Sequence, residues 1–354
     1  MVVRRELAQV QQGDTVTARN VETYKRDRPV REQCGAALCG SPCGRRERGE
    51  TTVRDPRSLP ARPAAVAGRQ RCVTDETMIT KLQGDFRAAL RRATIRKHQV
   101  FLDIFAGEGG LGRALERLGF GVVSIDLNNG DEYDVLRRAL ERLLLGWISS
   151  GCVVGVHMAV DCRSWSIALH GPPVSSWRAL RDRDNIFGFP DLTPAQHAKV
   201  RFGNDLCYVC CRLIESCRTY RVPIGLENPD RSFLWLVPRL VKLLKHAEVA
   251  RTDFCQHGAR WRKRTQLALW NFSHPLPPPL LSLCSGRKGV CFATAKPHIV
   301  LTGRDPTSKR LWSAIARPYP ILFCQRLASS YSDAIADLKH ARLHRLAIAK
   351  ALVF

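Results

Sequence analysis

The glycine-rich segment IFAGEGGLG, at residues 104–112, is the feature that most constrains the fold. It follows VFLDIF at 100–105, an apolar run typical of a buried strand. It leads into GLGRALERLG at 110–119, which predicts a helix that ends at Gly119. Glycines in such a turn let the backbone pass close to a ligand at the helix N-terminus. The segment therefore predicts the first strand–turn–helix unit of a ligand-binding α/β fold.

An acidic residue follows the second predicted strand, GVVSIDL at 121–127. Asp126 stands about 20 residues after Gly107, and a carboxylate at that place can accept both hydroxyls of a ribose. The glycine turn and Asp126 together indicate a crevice for an adenosine-containing cofactor. This pair alone leaves the choice between NAD and S-adenosylmethionine open.

Strand and helix patterns continue to alternate along the chain. Helices are predicted over 77–97, 133–147 and 204–217 and near Pro238, and strands over 152–160, 222–228, 249–256 and 265–270. Residues 171–202 are rich in Pro, Gly, Arg and Asp and predict a long loop. The alternation predicts a Rossmann-like α/β fold, with a mostly parallel sheet and helices on both faces.

The charge of the chain predicts a polyanionic partner. Lysine and arginine number 56 against 32 acidic residues, which gives a net charge of +24 and a pI near 10.1. Nucleic acid is the favoured partner, and an anionic membrane surface is the alternative. No run is apolar enough for a bilayer span or a secretory signal, so we expect the 14 cysteines to be mostly free thiols in a reducing compartment.

Reactive and charged side chains follow the later predicted strands. Asp161 and Cys162 follow the strand at 152–160, Glu227 and Asn228 end the strand at 222–228, and the run RWRKR follows the strand at 249–256. Because parallel strands share one carboxyl edge, we expect these groups to lie together beside the cofactor. Nothing among them offers hydride chemistry, which disfavours an NAD-dependent enzyme.

In this order, the segments resemble those of the C5-cytosine DNA methyltransferases. FLDIFAGEGGLGRAL resembles the cofactor segment, DCRSWS the nucleophile loop, LENP the glutamate segment and GARWRKRT the arginine segment. The resemblance covers about 100–270 and extends only faintly over 284–330. It implies a methyltransferase fold with a shortened recognition region, S-adenosylmethionine as cofactor and DNA as substrate, with RNA as the alternative substrate.

The resemblance also implies roles for individual residues. Cys162 would add to C6 of cytosine, Glu227 would hold the N3 edge of the base and supply a proton, and Arg262 or Arg264 would hold the base carbonyl or the loop. The residues that it implies for cofactor binding are Phe105, Ala106, Gly107, Gly109, Gly110, Asp126, Leu127 and Asp134. It implies no metal.

One departure from the family pattern, Asp161 where the family has proline, favours another hypothesis, an impaired methyltransferase fold that binds nucleic acid. A second departure, Trp261 where the family has glutamine, leaves open which arginine of the segment has the family role. An acid beside Cys162 is expected to raise the pKa of the thiol, with Arg163 offsetting this in part.

Four regions are expected: a basic, disordered tail (1–75), a catalytic domain (76–270), a recognition region (271–310) and a C-terminal helical segment that packs on the catalytic domain (311–354). The recognition region holds zinc-ligand residue types, but scattered thiols are favoured over a metal site. These residues are Cys284, Cys291 and His298, with Cys255 and His257 just before the region. Cys34, Cys39 and Cys43 in the tail are interpreted in the same way. Basic clusters and a DNA substrate point to the nucleus.

Overall fold

Six strands form one sheet in the computed structural model, which describes residues 74–166, 179–272 and 276–351, with side chains to residue 338. Their bounds are β1 (Val100–Ile104), β2 (Gly121–Ile125), β3 (Val153–Met158), β4 (Ile224–Pro229), β5 (Glu248–Asp253) and β6 (Arg264–Trp270). The strand order is β2-β1-β3-β4-β6-β5. The predicted basic tail, 1–75, lies outside the described residues together with its three cysteines, except for Thr74 and Asp75, which begin the first helix.

The first four strands are parallel, and β6 runs antiparallel to both β4 and β5. Leu102 at the centre of β1 pairs with Val123 on one side and with Val156 on the other. The chain thus moves from β1 to one neighbour, β2, and then crosses to the opposite side of β1 to form β3. The crevice between the carboxyl ends of β1 and β3 is the topological switch point, where open α/β sheets bind ligands.

Seven α-helices are found among the described residues. Their bounds are α1 (Asp75–Arg92), α2 (Gly110–Arg117), α3 (Arg138–Ser149), α4 (Pro194–Thr219), α5 (Pro238–Leu244), α6 (Trp312–Ile315) and α7 (Ile321–Ala351). Side chains alternate across each strand, and in β1 Leu102 and Ile104 join the core beneath α3 and α4, while Phe101 joins the core beneath α2 and α7. The predicted α/β fold, with a mostly parallel sheet and helices on both faces, is confirmed.

The prediction of a loop over 171–202 is wrong from residue 194 onward, because α4 begins there. Thr193 and Gln196 form a capping box: Gln196 N–H donates to Thr193 Oγ1 at 3.4 Å, and Thr193 N–H donates to Gln196 Oε1 at 2.9 Å. Pro194 occupies the first helical position, where its missing N–H costs nothing. Residues 167–178, which precede this turn, lie outside the described residues.

Helix α7 covers the face of the sheet that carries α2. Phe323, Leu327 and Tyr331 are fully buried there, and Tyr331 Oη donates to Val156 O of β3 at 2.8 Å. The C-terminal segment thereby brings aromatic and hydroxyl groups against the central strands. Among the described residues, no helix combines the length and the apolar character that a bilayer crossing requires.

Candidate functional site

The glycine turn after β1 exposes its backbone at the switch point, where a ligand can approach it. Gly107 and Gly109 have φ of +54° and +66°, a left-handed conformation that favours glycine. Phe105 also has a positive φ, +60°, where the chain leaves the strand. The N-cap residue Gly109 has no side chain that could cap α2, and of the N–H groups in the first turn, that of Gly112 donates to the Asp103 side chain. The N–H groups of Gly110 and Leu111 at the start of the helix are suited to an anionic ligand group.

Asp126 directly follows β2 and contacts the glycine turn from that side. The carboxylate is 8% exposed; its Oδ2 accepts Gly107 N–H at 2.8 Å, and its Oδ1 accepts Asn128 N–H at 2.9 Å. A carboxylate oxygen can accept more than one hydrogen bond. These two contacts therefore orient the Asp126 carboxylate and still leave it able to accept hydrogen bonds from a ligand. Leu127 beside it is 44% exposed. Asp134 is nearly buried nearby and accepts Leu136 N–H at 3.0 Å.

A further acid beneath the turn was missed by the sequence analysis. Asp103 in β1 is 2% exposed and accepts Gly112 N–H of α2 at 3.2 Å. Burial raises the pKa of Asp103 to about 7. Its position inside the apolar run VFLDIF was the only clue that the sequence offered, since a buried acid in a strand requires a partner.

The loop after β3 holds Cys162 half-buried at the same edge of the sheet. Trp165 N–H donates to Cys162 O at 3.0 Å, which closes the loop into a turn. The Trp165 ring is fully buried, with the Arg181 guanidinium 3.5 Å from its centroid. Asn228 Nδ2 of β4 donates to Val160 O at 2.8 Å and so ties the loop to the neighbouring strand. The thiol is therefore held on a well-supported turn.

The pKa of the Cys162 thiol is raised, as expected, but the main cause is not the one that the sequence suggests. Burial is the main reason that the pKa of Cys162 is raised; Lys263 lowers this pKa, and Glu227 and Asp161 raise it further. Asp161 forms an ion pair with Arg163, whose Nε donates to Asp161 Oδ1 at 3.0 Å and to Asp161 Oδ2 at 2.8 Å. Asp161 therefore acts in the expected direction but is a secondary cause.

Glu227 lies almost fully buried at the end of β4 and is held by two hydroxyl groups. Thr265 Oγ1 of β6 donates to its Oε1, and Tyr319 Oη donates to its Oε2 at 3.0 Å. The Tyr319 hydroxyl also lies 3.2 Å from His157 Nε2, and His157 Nδ1 lies 3.2 Å from Tyr331 Oη. Burial lowers the pKa of His157 to about 3 and raises the pKa of Tyr319, so both groups are neutral near pH 7.

The two predicted catalytic arginines contact a different carboxylate. Arg262 Nε donates to Asp253 Oδ2 at 3.2 Å, and Arg264 donates to both oxygens of Asp253 at 3.0 Å. Burial acts to raise the pKa of Asp253, but hydrogen bonds from Arg264, Cys284 and Arg262 outweigh it and lower the pKa. Because side chains alternate along an extended chain, the intervening Lys263 and the following Thr265 lie on the other face: Lys263 Nζ is 5.0 Å from the centroid of the Phe254 ring, and Thr265 donates to Glu227.

The change Lys263→Met is expected to slow alkylation of Cys162. It removes the positive charge that lowers the pKa of the thiol, so less thiolate is present at a given pH, and we expect a rate about threefold to tenfold lower at neutral pH. The measurement is peptide mass spectrometry of iodoacetamide-labelled Cys162 over a pH series, in which the rate should rise with pH as thiolate forms. Lys242→Met, an exposed change on α5, is the control; equal rates in all three proteins would contradict this role of Lys263.

The sequence predicts scattered thiols rather than a metal site in the recognition region. In the structure, four side chains of zinc-ligand type lie together instead. The ligand atoms of Cys255, Cys284, Cys291 and His298 are all within 4.8 Å of one another. His257 is not part of this group: its Nε2 lies 2.6 Å from Thr252 Oγ1, and its Nδ1 lies 3.0 Å from an Arg326 guanidinium nitrogen. The cluster is separate from the Cys162 loop.

Comparison with known proteins gives no match for this chain, either among protein-family models or among curated protein sequences.

Proposed function

We propose that this chain methylates C5 of cytosine in DNA, with S-adenosylmethionine as methyl donor and a covalent adduct between Cys162 and C6 as intermediate. The observation that carries the proposal is that Cys162, on the loop after β3, and the buried Glu227, near the end of β4, lie at the same carboxyl edge of the sheet as the glycine turn and Asp126. A thiol beside a buried acid suits addition to an activated ring, and a crevice at the switch point suits the donor.

The residues at the switch point fit the proposed cofactor. The N–H groups of Gly110 and Leu111 at the start of α2 suit the carboxylate of its amino-acid part, Asp126 suits its ribose hydroxyls, and the exposed Leu127 suits an apolar ring face. Gly107 and Gly109 allow close approach of the backbone. When bound, S-adenosylmethionine supplies an electrophilic methyl group, which carbon C5 attacks once the ring has been activated.

Cys162 provides that activation in the proposed mechanism. Its thiolate adds to C6, and the electron pair of the C5–C6 double bond becomes available at C5 as the ring gains a proton at N3. After methylation, water removes the C5 proton, the double bond re-forms and the thiolate leaves. The positive charge of Lys263 favours the thiolate form in both steps. The reacting cytosine has to leave the base stack to reach a half-buried thiol.

Glu227 supplies the proton at N3, and its hydroxyl partners complete a hydrogen-bond chain around the protonated acid. The protonated acid can donate to Tyr319 Oη, which then donates to His157 Nε2, while His157 Nδ1–H donates to Tyr331 Oη and Tyr331 donates to Val156 O. Once the proton is transferred, the carboxylate accepts from Tyr319 and Thr265. Because the Tyr319 hydroxyl has a single proton, His157 Nε2 then lacks a donor until the proton returns.

The charge of the recognition region supports a nucleic-acid substrate. In its described part, 276–310, Asp305 is the one acidic residue and basic residues are in excess. The side chain of Phe292 in this part is 75% exposed. The basic residues of this part are Arg287, Lys288, Lys296, Arg304, Lys309 and Arg310. Phosphate neutralisation by such residues gives affinity without sequence specificity, and an exposed aromatic ring can stack on a base.

The change Asp126→Asn is expected to weaken binding of the cofactor product S-adenosylhomocysteine by about tenfold to a hundredfold, because charged acceptors contribute about 1.5–3 kcal/mol per hydrogen bond. Isothermal titration calorimetry measures the dissociation constant. Asp131→Asn, in the turn before Tyr133, is the control and should bind as the unaltered protein does. Unchanged affinity in Asp126→Asn, with an unaltered circular dichroism spectrum, would contradict the proposed ribose contact.

The raised pKa of Cys162 favours a second candidate function, nucleic-acid binding by an inactive methyltransferase fold. Incubation with S-adenosylmethionine carrying a labelled methyl group separates the candidates. Label in cytosine of DNA supports the proposed activity, and label in RNA alone assigns the same chemistry to RNA. Binding of either nucleic acid with no label transferred supports the second candidate.

A further inference from the structure

We propose that Cys255, Cys284, Cys291 and His298 bind one structural Zn²⁺ ion that fastens the recognition region to the end of β5. Their four ligand atoms lie within 4.8 Å of one another; the three cysteines are buried and the histidine is half-buried. Three thiolates and one imidazole form a closed tetrahedral donor set, which is typical of structural zinc. No open position remains for substrate, so this site is independent of the proposed methyl transfer.

The four ligands come from three pieces of backbone that converge on one point. Cys255 lies in the 3-10 turn Phe254–His257, directly after β5. Cys284 follows the 3-10 turn Pro278–Leu281. Cys291 and His298 flank a turn that is closed by the Val290–Pro297 bridge and by His298 N–H donating to Gly289 O at 2.7 Å. A metal ion at the convergence would join all three pieces.

The backbone around Cys284 and Cys291 is arranged for close approach. A Cβ added at Gly286 would lie 1.9 Å from Val290 O, so only glycine permits the two segments to run this close together. The approach brings Phe292 N–H to 3.4 Å from Cys284 Sγ. Backbone N–H donors to sulfur stabilise coordinated thiolates, so this contact suits a metal ligand.

The surrounding residues support the donor set as outer contacts. Gln256 Nε2 donates to Cys255 Sγ at 3.4 Å. Cys284 N–H donates to the buried Asp253 at 2.7 Å, and Arg262 donates to Cys284 O at 2.8 Å. Three thiolates around Zn²⁺ carry one net negative charge, which the neighbouring arginine offsets. This gives Arg262 and Asp253 a function in holding Cys284.

The recognition region is tied to the β5 segment near its start but has little regular structure beyond Cys284. Leu280 is fully buried in the core, and Asp253 N–H donates to Ser282 O at 3.0 Å. The described part of the region contains one 3-10 turn and isolated bridges, but no α-helix or extended strand up to residue 310. Several of its apolar side chains are exposed, among them Leu281, Leu283, Val290, Phe292 and Val300. The part beyond Cys284 buries little apolar surface of its own, and metal binding supplies free energy that helps to order it.

The test uses full-length protein produced in zinc-containing medium and purified under reducing conditions. We expect about one zinc per chain by elemental analysis, and X-ray absorption that fits three sulfur atoms at about 2.3 Å and one nitrogen at about 2.0 Å. Folded protein without zinc, or a disulfide between two of the cluster thiols in protein purified without reductant, would overturn the proposal.

Variants locate the ion. Cys291→Ser and His298→Ala should lose zinc, whereas His298→Cys should retain it through four thiolates, and Cys152→Ser outside the cluster should be unaffected. If the first two variants do not fold, the unaltered protein answers the question: chelation of the zinc should make the recognition region sensitive to protease while β1–β6 stay resistant. Full zinc occupancy in Cys291→Ser, or no change in proteolysis on chelation, would contradict the site.

Discussion

Replacement of Cys162 with serine should reduce methyl transfer to DNA by at least about a thousandfold, since the reaction loses its covalent step. A serine hydroxyl of similar size keeps the turn closed by Trp165 but does not ionise near neutral pH. The measurement is transfer of a labelled methyl group from S-adenosylmethionine to cytosine-containing DNA in a single turnover. Binding of S-adenosylhomocysteine should be unchanged, because the cofactor residues lie on other segments.

Cys152→Ser is the matched control for this change. Cys152 is also a half-buried free thiol, and it lies at the opposite end of β3 from Cys162. Its replacement should leave transfer near the original rate. Equal activity of the Cys162 and Cys152 variants would show that Cys162 is not the nucleophile.

The change Glu227→Gln should lower the transfer rate by about a hundredfold to ten-thousandfold, the range typical of a lost general acid. Glutamine has nearly the same shape and can still accept from Thr265, but it has no acidic proton to give to N3. Single-turnover transfer should fall while DNA binding, measured by fluorescence anisotropy, stays similar. Glu215→Gln, a change to a carboxylate on α4 that pairs with Arg239, should leave the rate unaffected.

Tyr319→Phe separates positioning of Glu227 from its chemistry. The phenylalanine ring keeps the packing against Phe254 and Phe323 but removes the hydroxyl shared with Glu227 and His157. We expect a smaller loss, about tenfold in kcat, with little change in KM for DNA. An effect of Tyr319→Phe as large as that of Glu227→Gln would contradict the assignment of the proton to Glu227.

Most of the sheet was predictable because its signals are local. The apolar runs of β1 to β4, the glycine turn and Pro238 at the start of α5 are each contained in a few adjacent residues. The start of α4 was missed although Thr193 and Gln196 form a recognisable capping box, because the surrounding Pro, Gly and Asp favoured a loop. The antiparallel insertion of β6 between β4 and β5 depends on tertiary pairing, which no local pattern reveals.

The candidate site was predictable only where its residues lie in contiguous motifs. Cys162 and Asp126 follow strands, and Glu227 lies near the end of one, so their common edge could be inferred before the structure. Tyr319 reaches Glu227 from the segment between α6 and α7, and His157 reaches Tyr319 from near the carboxyl end of β3. Such contacts depend on how distant segments pack.

In the arginine segment, the sequence does not reveal which side chains point to which face of the chain. The sequence indicates a basic strand but not its rotation, and a shift of one residue exchanges the two faces. In the structure, Arg262 and Arg264 contact Asp253, whereas Lys263 lies over the ring of Phe254 and its charge lowers the pKa of Cys162. The cysteine cluster was likewise hidden, because Cys255 belongs to a different segment from Cys284 and Cys291.

Covalent trapping is the most direct test of Cys162 as a nucleophile aimed at cytosine. The protein is incubated with S-adenosylmethionine and a pool of DNA oligonucleotides that carry 5-fluorocytosine in varied sequence contexts. Fluorine cannot leave C5 as a proton does, so the adduct at C6 should persist as a denaturant-stable complex whose linkage maps to Cys162 and is lost in Cys162→Ser. If the protein binds the DNA and the cofactor but forms no such complex, or if Cys162→Ser forms it equally, the proposed mechanism is contradicted.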